Sequence, residues 1–222
     1  MESTSTLEHL DFQAQEVRDL NEATYVLRVD RHSLEFKAGQ CVSVGVRGTG
    51  INREYSTYSG EQDPYVELLI REVKDGLVSS ALRRCKPGES LSFMGAYGSF
   101  VLEKPEDSTR KYLFIGTGTG IAPFHSFVRS FPDIDYTILH GVRYLNERYD
   151  FEDYESGHYI SCVTKEDGGD FKGRVTDYLR QTQVNPNHIC YLCGNRLMLA
   201  EAFDLLREQG VPGDNLFTEV FF

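Results

Sequence analysis

Lys111-Tyr112-Leu113-Phe114-Ile115-Gly116-Thr117-Gly118-Thr119-Gly120-Ile121-Ala122-Pro123 decides the reading of this chain. An apolar run, a glycine-rich turn and a proline suited to the first turn of a helix follow one another without a gap. Glycines carry no Cβ, so the backbone of such a turn can come close to a ligand. The N–H groups opening the next helix attract anions. The spacing differs from the usual dinucleotide GxGxxG, and by itself the stretch reads equally well as a tight strand-to-helix turn.

Downstream, residues 136–140, 159–163 and 189–193 read as strands. Helical patterns at 123–131, 175–180 and 197–209 lie between or after them, and Gly210 stops the last. Such alternation implies a parallel sheet covered on both faces. Upstream the apolar pattern is short and interrupted. Residues 25–29, 41–46, 65–70 and 90–94 read as strands, and 77–84 as one helix-like insert, which suggests a small antiparallel barrel. The charged, proline-bearing stretch 103–109 is the natural linker. The expected fold class is therefore β followed by α/β: an antiparallel β-barrel over 1–104, then a Rossmann-like parallel α/β domain over 105–222.

The 222 residues suffice for two domains of about 100 residues each. A net charge of −11 argues against nucleic acid and anionic membranes as partners. Neither half is basic, so an acidic protein partner would need a local patch. No apolar run approaches a membrane span, and the start, Met1 to Thr6, has no signal-peptide character. Five scattered cysteines fit a reducing, cytoplasmic setting. Cys190 and Cys193 form a CxxC without a second pair, within a stretch that reads as a buried strand. The six histidines lack ligand spacing, and no metal is expected. The acidic run 150–155 reads as a solvated helix face.

Two motifs of the first half carry chemistry. In Arg53-Glu54-Tyr55-Ser56, an arginine in a loop after a strand could hold a phosphate with its planar fork. Tyr55 could lie against an aromatic ring system and Ser56 could hydrogen-bond its edge. The plain alternative is a surface arginine and a strand tyrosine. Gly76-Leu77-Val78-Ser79 opens the helix-like insert, where Ser79 and nearby N–H groups could bind a second phosphate or merely start a helix.

Taken in order with Cys193-Gly194-Asn195 and the terminal Glu219-Val220-Phe221-Phe222, these motifs resemble the ferredoxin–NADP reductase superfamily, in particular its bacterial-type ferredoxin/flavodoxin–NADP reductases. The resemblance runs from about residue 16 to the end. It implies an FAD-binding barrel and an NADP-binding α/β domain. Arg53, Tyr55, Ser56 and Thr57 then match the flavin-contacting motif, Leu69, Ile70 and Arg71 the backbone contacts to flavin, and Gly76, Leu77, Val78 and Ser79 the pyrophosphate loop. That loop favours FAD over FMN. Ala96 stands where the family has proline in GPxGxF. Gly116, Thr117, Gly118, Thr119, Gly120 and Pro123 match the NADP loop.

Arg143, Lys165 and Arg174 stand at three positions where the family carries cations for the 2′-phosphate, which favours NADPH over NADH. Cys193 matches the cysteine beside nicotinamide and Glu219 the acid near the C-terminus. Ser56, Cys193 and Glu219 are the catalytic candidates. Phe221 or Phe222 is placed to lie over the flavin. Some bacterial members carry a longer tail that contacts adenine, and none follows here. The resemblance implies hydride transfer between NADPH and FAD, with single electrons passed to ferredoxin or flavodoxin. A reductase component serving an oxygenase or hydroxylase is the alternative, and a non-catalytic flavin- or nucleotide-binding module stands behind both.

Overall fold

The computed structural model describes residues 12–221. Its first half contains β1 (Ala14–Asp19), β2 (Thr24–Asp30), β3 (Cys41–Val46), β4 (Arg53–Ser56), β5 (Tyr65–Arg71), the short helix α1 (Leu77–Arg83) and β6 (Leu91–Tyr97). The strands make two antiparallel sheets, β1-β2-β5 and β4-β3-β6. Single bridges from Thr57 to Leu68 and from Gln13 to Ser90 join the sheet edges and close the ring. Side chains alternate across each strand, so Leu27, Val44, Val66 and Leu68 point inward and meet Val78 and Leu82 of α1.

The second half holds β7 (Lys111–Thr117), α2 (Ala122–Ser130), β8 (Asp135–Val142), β9 (Tyr159–Val163), β10 (Phe171–Lys172), α3 (Val175–Gln181), β11 (Ile189–Gly194), α4 (Arg196–Glu208) and β12 (Leu216–Val220). Its strands form one parallel sheet in the order β10-β9-β8-β7-β11-β12. One face packs with α3 and α4 through Leu113, Ile115, Leu139 and Leu192. The other packs with α2 and the barrel through Phe114, Phe124, Phe127 and Tyr191, which meet Val26, Tyr58, Leu69 and Phe100. The two halves thus share an aromatic core. The CxxC straddles the sheet. Cys190 faces α3 and α4 while Cys193 faces the barrel side, so the pair cannot hold one metal.

Four local expectations change. Arg53 opens β4 instead of lying in a loop. The chain end forms an edge strand, β12, that the sequence pattern did not announce. The linker is tied down: the Tyr191 hydroxyl accepts from the Glu103 N–H (2.8 Å) and donates to the Val101 carbonyl (2.9 Å). The acidic run is only in part a solvated face: Glu152, Asp153 and Glu155 are exposed, but Asp150 and Asp153 are engaged. Asp150 receives two bonds from Arg18 (2.9 and 2.7 Å) and one from the Tyr58 hydroxyl (3.0 Å), and Asp153 meets His125 (2.9 Å). Arg18 and Tyr58 dock the segment onto the barrel, and His125 ties it to α2.

Candidate functional site

The strand order reverses between β7 and β11, because β8 lies on one side of β7 and β11 on the other. Crevices that bind ligands form beyond the carboxyl ends of strands at such a point. A cavity of ≈ 510 Å³ opens there, and Thr117, Gly118, Thr119, Gly194 and Asn195 line it together with Arg143, Arg174 and Phe221.

Packing explains the glycines. A Cβ on Gly120 would lie 2.4 Å from the Cys193 carbonyl oxygen, and one on Gly194, at φ +136°, would lie 2.3 Å from Thr117 Oγ1. Gly116 is likewise buried against Phe124, and Pro123 sits buried at the start of α2. Gly116, Gly120 and Pro123 therefore shape the turn from behind while Thr117, Gly118 and Thr119 face the cavity. His140 fixes the turn from below. Burial lowers its pKa to about 4, so the ring is neutral: Nε2–H donates to the Gly118 carbonyl (2.8 Å) and Nδ1 accepts from the Tyr159 hydroxyl (2.7 Å).

The parallel register sets Cys193 between Gly116 of β7 and Glu219 of β12. At the same place β4 ends with Ser56. Its hydroxyl donates to Glu219 Oε2 at 3.1 Å, and the Cys193 thiol reaches the same oxygen at 3.9 Å. Burial raises the pKa of Glu219, and the two donors offset this only partly. Burial, followed by the Glu219 charge, holds the Cys193 thiol well above its ordinary value, so it stays a neutral thiol. The Phe221 N–H donates to the Gly194 carbonyl (2.9 Å), and this residue lines the cavity. Phe222 lies outside the described residues.

The other barrel positions divide. Arg53 is exposed and donates to the Asn52 carbonyl (2.8 Å). Tyr55 packs against the barrel cluster, and burial pushes its phenol up to about 12. Thr57 is fully buried and its hydroxyl donates to the Gln40 carbonyl (3.1 Å), so this side chain serves the barrel. Beyond the Thr57–Leu68 bridge, no strand among the described residues pairs with the far edge of β5 over Leu69, Ile70 and Arg71. Arg71 also reaches the nucleotide-side cavity. Ser79 turns inward and accepts from the Val73 N–H (3.0 Å), which holds the loop shut behind Gly76. Leu77 is exposed, and α1 begins without a side-chain cap, leaving the first-turn N–H groups of Leu77 and Val78 to solvent or a ligand.

Of the three expected cations, Arg143 and Arg174 line the cavity and Lys165 does not. Sequence reasoning passed over two further lining residues, Thr176 and Glu147. Thr176 is 1% exposed, and its hydroxyl finds no partner among the described residues. A threonine in a helical pattern carries no signal of this kind. Glu147 is buried and grips Arg143.

The donor set fits the two groups the resemblance implies. The orphan Thr176 hydroxyl beside Arg174, and the open Gly118 turn at φ +54°, suit a phosphate-rich nucleotide. The unpaired β5 edge and the start of α1 offer backbone groups to a flavin and its phosphates.

Comparisons with known proteins agree with this layout. Residues 9–102 match the oxidoreductase FAD-binding domain family and residues 114–203 the oxidoreductase NAD-binding domain family. The electron transfer component of toluate 1,2-dioxygenase from Pseudomonas putida is 31% identical over 92% of this chain and 65% of its own length. A flavodoxin/ferredoxin–NADP reductase of Shigella flexneri is 30% identical over 58% of this chain and 54% of its own. The chain spans 65%, 62% and 57% of three curated oxygenase components that it matches. Among solved structures, a ferredoxin NADP+ reductase from Neisseria gonorrhoeae with bound FAD and NADP superposes with a TM-score of 0.83. The identity is 22%, and the match covers 96% of this chain and 98% of that one.

Proposed function

We propose that this chain, which belongs to the ferredoxin–NADP reductase superfamily, is an FAD-dependent oxidoreductase that draws hydride equivalents from NADPH and delivers single electrons to ferredoxin or flavodoxin. The observation that carries the reading is the convergence of Ser56, Cys193 and Glu219 beside the switch-point cavity. The division we adopt places a flavin half up to residue 104 and a nucleotide half from 105 onward.

Arg53, Tyr55, Ser56, the backbone of Leu69 to Arg71 and the start of α1 would hold FAD. Once bound, FAD supplies what the side chains lack, by accepting a hydride equivalent and releasing electrons one at a time. Thr117, Gly118, Thr119 and Asn195 would bind the nucleotide, with Arg143 and Arg174 selecting its 2′-phosphate. Phe221 would yield its place on the cavity wall as the ring enters. The neutral Cys193 packs and does not attack. Glu219 can hold a proton at Oε2 and exchange it with Ser56 Oγ. The remaining contribution is alignment.

The test is spectroscopic. The purified protein is expected to be yellow, to bleach faster with NADPH than with NADH, and then to reduce ferredoxin or flavodoxin. Failure of both nucleotides to bleach it would overturn the reading. The similarity to dioxygenase and monooxygenase components favours a second reading, electron supply to an oxygenase. An oxygenase-linked iron–sulfur protein that outcompetes flavodoxin in the same assay would select it.

A further inference from the structure

Arg143 and Glu147 form an unusual pair for a site that faces an anion. The Glu147 carboxylate is buried, yet it lines the nucleotide-side cavity. It accepts from the Arg143 backbone N–H (2.8 Å) and from Nε (3.0 Å), and Nη2 closes on the same carboxylate. One edge of the guanidinium is therefore fully used. Nη1 has no hydrogen-bond partner among the described residues, and Arg143 lines the cavity.

Glu147 is itself held by a strap that the barrel fastens. Immediately after it, the Tyr149 hydroxyl meets Thr24 Oγ1 (3.1 Å) and Asp150 takes the bidentate Arg18 contact. Immediately before it, the Asn146 carbonyl accepts from Asn21 Nδ2 (3.0 Å). An arginine loses much rotamer freedom when it binds a phosphate, and a residue that fixes the fork beforehand removes part of that cost. Against this stands charge: a buried carboxylate also neutralises the cation and repels a dianion. Three bonds to one residue favour the positioning effect, because the fork keeps its free edge while its orientation is set.

We propose that Glu147 is a positioning residue for nucleotide selection, holding Arg143 so that its free Nη1 edge serves the 2′-phosphate. This rests on the NADPH reading above. The experiment is titration calorimetry of the flavin-loaded full chain with 2′-phospho-AMP and with 5′-AMP.

The unaltered protein is expected to prefer 2′-phospho-AMP. Glu147→Ala is expected to reduce that preference about tenfold, and Glu147→Gln, which keeps the shape and one of the two acceptor oxygens, to reduce it less than the alanine variant does. In Arg143→Ala, adding Glu147→Ala is expected to change nothing further. If both Glu147 variants bind 2′-phospho-AMP more tightly, the carboxylate acts by charge and the proposal is overturned. Additive losses would overturn it too. Absence of any preference in the unaltered protein would instead remove the NADPH reading beneath it, and the proposal with it.

Discussion

Two polar clusters sit where the barrel meets the parallel sheet, and they are built in opposite ways. In the first, Arg18, Tyr58, His125, Asp150 and Asp153 saturate one another. The Asp150 carboxyl takes three hydrogen bonds, and His125 Nδ1 donates to the Tyr58 carbonyl at 2.7 Å while its ring stacks on the Tyr58 ring at 3.8 Å. Burial alone would raise Asp150, but Arg18 and Tyr58 bring it below its ordinary value. In the second, Ser56 and Cys193 share one oxygen of Glu219, and burial wins there, with both acids raised. A polar group with its full set of partners holds elements together. One left short of partners is available for chemistry.

Breaking the first cluster should have the largest effect. Asp150→Ala leaves Arg18 half-buried without its partner and frees the strap from the barrel. A loss of about 3 kcal/mol is expected, since Arg18 stays partly in water but the buried Tyr58 hydroxyl also loses its acceptor, read as a fall in denaturation midpoint. The second cluster should respond in the other coordinate. Ser56→Ala is expected to slow bleaching of the flavin by NADPH about 100-fold, equivalent to about 2.7 kcal/mol, in stopped-flow traces. Its stability should move by less than about 1 kcal/mol. A large stability loss with unchanged bleaching would reverse the contrast between the clusters.

The gate beside the second cluster comes next. Phe221→Ala should tighten nucleotide binding several-fold, about 1 kcal/mol, if the ring must leave the cavity to admit the ligand. An unchanged dissociation constant would remove Phe221 from that role. The smallest effect concerns Glu219. Its pKa is raised on folding, so between the unfolded and folded values the native state holds a proton that the unfolded chain has released. Stability therefore falls as pH rises through that window. Glu219→Gln lacks this loss, and its advantage over the unaltered protein should grow with pH from about 4.5 upward and then level off. A gap that shrinks with rising pH would contradict the assignment.

Much of this was legible along the chain. The strand-to-helix alternation, the glycine turn at Gly116 to Gly120 and the helices α1, α3 and α4 follow from periodicity and from glycine and proline chemistry, which act over a few residues. The edge strand β12 was not, because five half-exposed residues ending in Val220 alternate too weakly to announce a strand. The acidic run misled for a related reason. Its composition is that of a solvated surface, and only Arg18, Tyr58 and His125, none of them neighbours in sequence, engage Asp150 and Asp153. Thr57 and Lys165 carried the right residue types at the right spacings, yet the fold buries one and keeps the other off the cavity wall.

By itself the sequence determined the helices and the strands other than β1, β4, β10 and β12, that two kinds of domain follow one another, and which short motifs could face phosphate. Those are local matters of φ, side-chain period and missing Cβ atoms. Only the tertiary structure decided which groups meet. Ser56 finds Glu219 across 163 residues, and Arg18 finds Asp150 across 132. Such pairs depend on sheet register, on the closure of the barrel and on the shared aromatic core, since a shift of one residue in β4 or β12 would turn the donor or the acceptor to the opposite face.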